Sequence, residues 1–292
     1  MGEKTGRVDV PDQVIQAGRS REGHDLDAWL AVARAAVACA AAYVRDHLPG
    51  AVAAKGDRDL VSDVDLAVER LVRDFLHQHA PGVAFGGEEY GFPPGVVDEQ
   101  WVLDPVDGTV NFVHGIPLCA VSLALRRGDR AVLGVIAAPF LGTSYWAAEG
   151  RGAFRNGQPI MASRRHALDQ AVVAVGDYGT GAGAASRNRA AVSLHRRLAD
   201  QVQRVRMLGS AAMDLVWVAE GALDASITLG NRVWDMAAGV VIAREAGAVV
   251  VDVDGSPHDC TSAITIAVAE PLALPVTELV RAAMREGGHL PA

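Results

Sequence analysis

The stretch Trp101-Val102-Leu103-Asp104-Pro105-Val106-Asp107-Gly108-Thr109-Val110-Asn111-Phe112 governs how the rest of the chain is read. It starts as a short apolar strand, Gln100 to Leu103, and ends on a carboxylate, Asp104. A carboxylate at the end of a buried run needs a partner, because an isolated charge is costly to take out of water. Asp107 follows across Pro105, whose fixed φ stiffens the turn. Gly108 and Thr109 then open a helix or turn, with backbone N–H groups available to an anion. Hard oxygen ligands beside an anion-binding backbone suit a Mg²⁺–phosphate site. Each residue alone has a plainer reading. Asp107-Gly108 is a turn signal, and an aspartate before a helix is most often a cap.

Two further acidic clusters flank this stretch. Upstream, the short strand Val83–Phe85 ends at Gly86-Gly87-Glu88-Glu89, where the glycines permit close backbone approach and two carboxylates follow; alone, the pair would be a solvated loop. Downstream, in Trp234-Asp235-Met236-Ala237-Ala238-Gly239, Asp235 opens a helix, where it suits the N-cap and the helix dipole. The combination, rather than any one member, argues for chemistry.

Outward from these clusters the spacing of apolar residues supplies the elements. Leu26 to Leu48 is helical and Pro49-Gly50 ends it. Residues 51–62 read as a polar connection. A second helix starts near Ser62 or Asp63, with Val64, Val68, Leu71, Val72 and Phe75 as its stripe. Strand patterns follow at 120–126, 132–138 and 143–148, with hairpin signals at Gly128-Asp129 and Asn156-Gly157. The second half alternates strand and helix: strand 171–175, helix 185–203, helix 211–220, strand 224–228, helix 235–246, strands 248–253 and 263–268, and helix 275–285. An antiparallel first half and a β/α second half imply layered sheets and helices. The expected division is a flexible extension over 1–24, an N-terminal half over 25–165 carrying most of the metal ligands, and a C-terminal half over 166–292 carrying Asp235 and the substrate-contact segments.

The bulk properties of the 292 residues narrow the partners. The net charge of -8 argues against a nucleic-acid footprint. It does not argue against a phosphorylated substrate, since a bound cation reverses the local field. Arg196, Arg197, Arg204 and Arg206 read as a solvated helix face or subunit rim. The three cysteines, Cys39, Cys119 and Cys260, have no zinc spacing and read as buried free thiols of a reducing compartment. The apolar run Ala28 to Val44 contains Arg34 and is short for a membrane span, and residues 1–24 have no apolar leader. A cytoplasmic protein with no membrane partner is expected.

Glu88-Glu89, the run Asp104 to Phe112 and Trp234-Asp235 with Ala237-Ala238-Gly239, in this order and separation, resemble the signature motifs of the inositol monophosphatase family, and the similarity runs from about residue 26 to about 285. The resemblance implies an α/β (α+β) fold, a layered αβαβα sandwich of the inositol monophosphatase and fructose-1,6-bisphosphatase type. It implies metal binding by Glu88, Asp104, the Val106 carbonyl, Asp107 and Asp235, with two to three Mg²⁺ ions per site. Glu88 and Thr109 would orient the attacking water, and Asp65 would hydrogen-bond Thr109. Asp63, two residues earlier, competes for that role, and the plain alternative for both is a helix-start charge. Lys55 aligns near the metals; it and Lys4 are the only lysines, so a chain of 25 arginines places a compact ammonium there. Gly209, Ser210 and Ala211 align with a segment touching substrate hydroxyls, although Ser210 as a simple cap would look the same. By the same resemblance Asp107, Gly108 and Thr109 would also border the substrate. A homodimer sensitive to Li⁺ is implied as well.

The match fails at one place. Seven residues before Asp235, where inositol phosphatases often carry a glutamate that grips a ring hydroxyl, stands Thr228, within Ser226 to Arg232. Thr228 can still hydrogen-bond a hydroxyl, Asn231 or Arg232 would contribute, and Arg232 could instead meet a second phosphate or a carboxylate. The expected activity is Mg²⁺-dependent hydrolysis of a small phosphate monoester, inositol monophosphate or a related sugar or cyclitol phosphate. The alternatives are histidinol phosphate, fructose 1,6-bisphosphate and 3′-phosphoadenosine-type substrates. A non-catalytic regulator is the competing class, and the complete ligand set speaks against it.

Overall fold

Helix α1 (Leu26–Asp46) buries one face, Trp29, Val32, Ala33, Ala36, Val37, Ala40 and Val44. The computed structural model describes residues 26–56, 59–95, 97–181 and 183–288, so the expected extension over 1–24 lies outside the described residues. By length and composition α1 is the one helix among the described residues that is apolar enough to cross a membrane. Here its apolar face joins Trp101, Leu123 and Leu133 in one core. Arg34 stays outside, its guanidinium carbon 3.8 Å from the centre of the Trp146 ring.

Residues 51–62 correct the sequence reading. They form a hairpin, β1 (Val52–Gly56) paired with β2 (Asp59–Ser62). All five positions of β1 are exposed, so there is no buried–exposed alternation to reveal it. Helix α2 (Asp63–His79) begins directly afterwards. The Ser62 hydroxyl accepts from the Asp65 N–H while the Asp65 carboxylate accepts from the Ser62 N–H, a reciprocal cap.

The first sheet runs in chain order: β3 (Ala84–Gly87), β4 (Glu99–Asp107), β5 (Ala120–Arg127), β6 (Arg130–Ala138), β7 (Thr143–Ala148), β8 (Ala153–Arg155) and β9 (Gln158–Pro159). β3 and β4 are parallel and the other pairs antiparallel. Successive side chains alternate between faces. Val121, Leu123 and Leu125 turn to the core under α1 and α2, while Ala120 and Ala124 turn to the other side. Strand β4 corrects a second reading: it continues past Asp104 to Asp107, and the short helix α3 (Thr109–Val113) follows.

The second sheet has the order β11-β10-β12-β14-β13, from β10 (Val172–Val175), β11 (Arg204–Arg206), β12 (Ala225–Thr228), β13 (Ala248–Val251) and β14 (Thr265–Ala269). β10 is parallel to β11 and β12, and β14 is antiparallel to both its neighbours. Outside it lie α4 (Ala184–Ala199) and α7 (Ala273–Glu286), which share a core with β10, β12 and β14. Between the sheets lie α5 (Ala211–Ala219) and α6 (Val233–Glu245). The layers therefore read α–β–α–β–α. Arg204 and Arg206 sit on the edge strand β11 rather than on a helix face, whereas Arg196 and Arg197 of α4 pair with Glu286 of α7.

Helix α6 packs unusually close to both neighbours. A Cβ at Gly134 of β6 would lie 2.3 Å from the Ala238 carbonyl oxygen, and one at Gly239 would lie 2.5 Å from Cδ1 of Leu215 on α5. The small residues after Asp235 are thus what let α6 reach the first sheet.

Candidate active site

In a regular strand, residues three apart point to opposite faces. Asp104 and Asp107 do not, because β4 bulges between them: Asp104 pairs with Ser122 and Asp107 with Ala120, three steps on one strand against two on the other. The extra residue restores the same side for both carboxylates. Pro105, which has no N–H to give the ladder, sits within the bulge. Asp235 arrives from α6 on the far side. One oxygen from each of Asp104, Asp107 and Asp235 can be placed within 4.8 Å of the others.

Asp235 corrects the expectation of an N-cap. Arg232 occupies the N-cap, and Asp235 stands in the first turn, its carboxylate meeting the Arg232 N–H and lying beside the other two carboxylates. Asp107 is held by three donors from the next segment, the Ser210 hydroxyl, the Ala211 N–H at 3.2 Å and the Ala212 N–H at 2.9 Å. Ser210 is also the N-cap of α5, accepting from the Met213 N–H, so its two readings hold together. Gly108 is required where it is: its φ is 84°, and a Cβ would lie 3.0 Å from the carbonyl oxygens of Gly209 and Leu118. Asn111 ties the two segments by donating to the carbonyls of Leu118 and Leu208 at 2.8 and 2.7 Å.

Thr109 hangs over the bulge. Its hydroxyl lies 3.1 Å from Oδ1 of Asp65 and 3.0 Å from the Val106 carbonyl, and it has one proton for the two acceptors. Asp65 therefore serves as both cap and Thr109 partner, one oxygen for each. Asp63 instead accepts from the Gly50 N–H.

Glu88 lies on the same wall but is engaged elsewhere. Lys55, from the hairpin, donates to Glu88 at 2.6 Å and to Glu89 at 2.7 Å. The loop beneath is set by Glu69 of α2, whose carboxylate accepts from the N–H groups of Glu89 and Tyr90 at 2.8 and 3.0 Å. A Cβ at Gly87 would lie 2.3 Å from that carboxylate, so the glycine is needed for the approach.

The electrostatics are those of a site short of positive charge. Burial, and then Glu88, Asp107 and Asp235, push the Asp104 carboxyl well above the usual range. Burial also pushes Asp235 up, with Asp107 and Glu88 adding to it. Asp107 rises to about 6 through burial, against its three donors. Glu89 is pushed up to about 7, again chiefly by burial. Burial works against the Lys55 charge, but its two carboxylates outweigh that and raise it above the ordinary lysine value. Among the described residues no lysine or arginine forms an ion pair with Asp104, Asp107 or Asp235. An all-oxygen donor set with this deficit fits a hard divalent cation.

Glu88, Asp104, Val106, Asp107 and Asp235 border one cleft of about 670 Å³, which reaches across to the loops after β10 and β12, while Lys55, Asp65, Glu69 and Glu89 stand behind its wall. Gly108, Thr109, Ser210, Ala211, Thr228 and Arg232 line it too. Thr228 thus faces the cleft at the position where the sequence lacks a glutamate. Asn231 is less available than expected, since its amide donates to Thr265 at 2.6 Å and to the Ser262 carbonyl at 3.3 Å.

The inositol monophosphatase family model matches residues 25–286. The chain belongs to the inositol monophosphatase family. It is 38% identical over 247 residues to inositol monophosphatase 1 of Solanum lycopersicum, covering 81% of this chain and 89% of the relative. A Thermotoga maritima protein named fructose-1,6-bisphosphatase/inositol-1-monophosphatase is 36% identical over 207 residues, 71% of this chain and 77% of that one. The solved structure of a Thermotoga maritima IMPase superposes with a TM-score of 0.81 at 31% identity, covering 88% of this chain and 98% of that one. As a member of the inositol monophosphatase family, the protein is a phosphatase, a phosphoric monoester hydrolase of metal-dependent type.

Three groups in this inositol monophosphatase-type cleft were not legible as site residues. Asp177 and Asp214 line the cleft wall, and Asp214 is almost fully buried, with its Oδ1 lacking a hydrogen-bond partner. Arg187 enters from α4. None belongs to a motif. The one signal for Asp214 was its spacing of four from the Ser210 cap, which places it one turn into α5.

Proposed function

We propose that the protein hydrolyses the phosphate monoester of a small polyol, inositol monophosphate or a related sugar or cyclitol phosphate, with two to three Mg²⁺ ions. The observation that carries this reading is the trio of buried Asp104 and Asp107 with half-buried Asp235, beside the Thr109–Asp65 pair. Glu88, Asp104, the Val106 carbonyl, Asp107 and Asp235 are the residues that would hold the metal. Bound there, Mg²⁺ supplies neutralisation of the phosphate dianion, a more acidic water and stabilisation of the leaving alkoxide.

The chain's own residues supply the rest. Thr109 donates its hydrogen bond to Asp65, which leaves the Thr109 oxygen to accept from the attacking water, and Glu88 orients that water from the other side. Lys55 positions Glu88. The N–H groups after Asp107 and the Gly209–Ala211 segment border the phosphate and the nearest hydroxyls, and Thr228 and Arg232 face the alcohol. The reaction asks mainly for positioning and charge, since the phosphoryl transition state needs little covalent help.

A second reading, a bisphosphate substrate, is favoured by Thr228 in place of the glutamate and by the dual name of the Thermotoga maritima relative. The acidic balance speaks against a nucleic-acid partner, the free cysteines suit the reducing cytoplasm, the packing of α1 into the core speaks against a membrane partner, and the family supports a homodimer; all are part of this proposal. The deciding experiment is phosphate release with Mg²⁺ from myo-inositol 1-phosphate, histidinol phosphate, fructose 1,6-bisphosphate and adenosine 3′,5′-bisphosphate, each with an EDTA control. EDTA-sensitive release from one of them is expected. Release that EDTA leaves untouched would overturn the metal assignment.

A further inference from the structure

The wall opposite the carboxylates holds a group that this chemistry does not use. β10 and β12 run parallel with Val175 beside Ile227, and the segments leaving their C-terminal ends, 176–180 and 228–232, line the cleft together. Ends of this kind are where open α/β sheets bind ligands. Helix α4 sends Arg187 back between the two segments. A Cβ at Gly179 would lie 2.1 Å from its Nη2, and one at Gly230 would lie 2.6 Å from its Nη1. The guanidinium therefore occupies a slot that exists because both segments carry glycine.

The slot is braced. Asn188, the next residue of α4, accepts from the Gly179 N–H at 2.7 Å and donates to the Gly179 carbonyl at 3.0 Å. Asp177 and Asp214 line the same wall, yet no ion pair joins Arg187 to either of them, or to any other carboxylate among the described residues. Arg232 borders the same space from the start of α6, 5.9 Å from the centre of the Trp234 ring.

A half-enclosed guanidinium without a counter-ion costs desolvation energy that an anion recovers and a neutral polyol does not. Its planar fork matches the oxygens of a carboxylate or phosphate in two parallel hydrogen bonds. A cleft of about 670 Å³ is within the range that encloses a whole small molecule. Resting on the phosphatase reading above, we propose that Arg187 is a specificity residue that grips a second anionic group, carboxylate or phosphate, on the alcohol part of the substrate.

The test measures kcat/KM with Mg²⁺ for myo-inositol 1-phosphate, 3-phosphoglycerate and fructose 1,6-bisphosphate in the wild-type, Arg187→Gln and Arg187→Lys proteins. The wild type should prefer at least one charged substrate to the inositol ester. Arg187→Gln should lower that preference about tenfold or more, mainly through KM, with Arg187→Lys between the two. The substrate that loses most identifies the group as carboxylate or phosphate. Equal losses on all three substrates, or a wild type without the preference, would overturn the assignment while hydrolysis of the inositol ester kept the phosphatase reading. No hydrolysis of any of the three would overturn both.

Discussion

The two walls of the cleft are built on different principles. The carboxylate wall is centred on the end of strand β4, with Asp235 added from α6, and is heavily tied: Asp107 alone accepts from three donors, and the Thr109 hydroxyl lies within reach of both Asp65 and the Val106 carbonyl. The facing wall is made of the segments 176–180 and 228–232 with Arg187 between them; Asn188 and Asn231 are tied into it, but the Arg187 guanidinium has no carboxylate partner among the described residues. A wall whose hydrogen bonds are satisfied within the protein has its geometry decided before substrate arrives, which is what electrostatic catalysis requires. A wall with unspent donors has its energy decided by what binds. Chemistry and selectivity are therefore separable in this molecule, and mutations on the two sides should differ in kind.

The largest effect should come from the tied wall. Asp104→Asn should lower kcat by about 10³-fold or more while the protein stays folded, because it removes a charge from the centre of the metal set. Near-wild-type turnover in a steady-state assay would break the contrast outright. Thr109→Val keeps the shape and removes the hydroxyl, and kcat should fall about 10²-fold with little change in KM. If KM rose while kcat held, Thr109 would belong to binding rather than to water activation.

Next comes a pH effect on stability, read by thermal melting in EDTA. The folded-state pKa values of Asp107, about 6, and Glu89, about 7, lie above those of the unfolded chain. The folded state then binds more protons, so these groups contribute stability that is fully present below about pH 4 and lost as pH rises through 6 to 7. Metal-free protein should melt lower at pH 8 than at pH 5, and saturating Mg²⁺ should reduce the difference. A melting temperature that rose with pH in EDTA would contradict the charge deficit. The smallest effect belongs to the loose wall: Thr228→Ala should cost about fivefold in kcat/KM, one ordinary hydrogen bond, with kcat nearly unchanged.

The same contrast explains what could be read without coordinates. The carboxylate wall was legible because Asp104, Val106, Asp107, Gly108 and Thr109 are contiguous, and contiguity survives in a string of letters. Its mechanics were not. The bulge that turns Asp104 and Asp107 to one side is invisible in composition, and so is Glu69, which sets the Glu88–Glu89 loop from 20 positions away. Hairpin 52–62 escaped because its first strand is exposed throughout, leaving no period of two. Strand 204–206 escaped because Arg-Val-Arg suggests a solvated surface, while the backbone there pairs with β10. The helix of Asp235 starts one turn earlier than its sequence suggests, because Arg232 is a poor cap by type. On the facing wall Arg187, Thr228 and Asp214 come from three separate elements, and only the fold brings them to one space.

The scarcity of lysine has a practical corollary. The chain offers two ε-amines, Lys4 and Lys55, and the second is clasped by Glu88 and Glu89. A protonated amine is inert to acylating reagents, and the clasp keeps Lys55 protonated above its ordinary range. Lys55 is therefore labelled only as fast as the hairpin lets go of the two carboxylates. An amine-directed probe read out by mass becomes a stopwatch on that release.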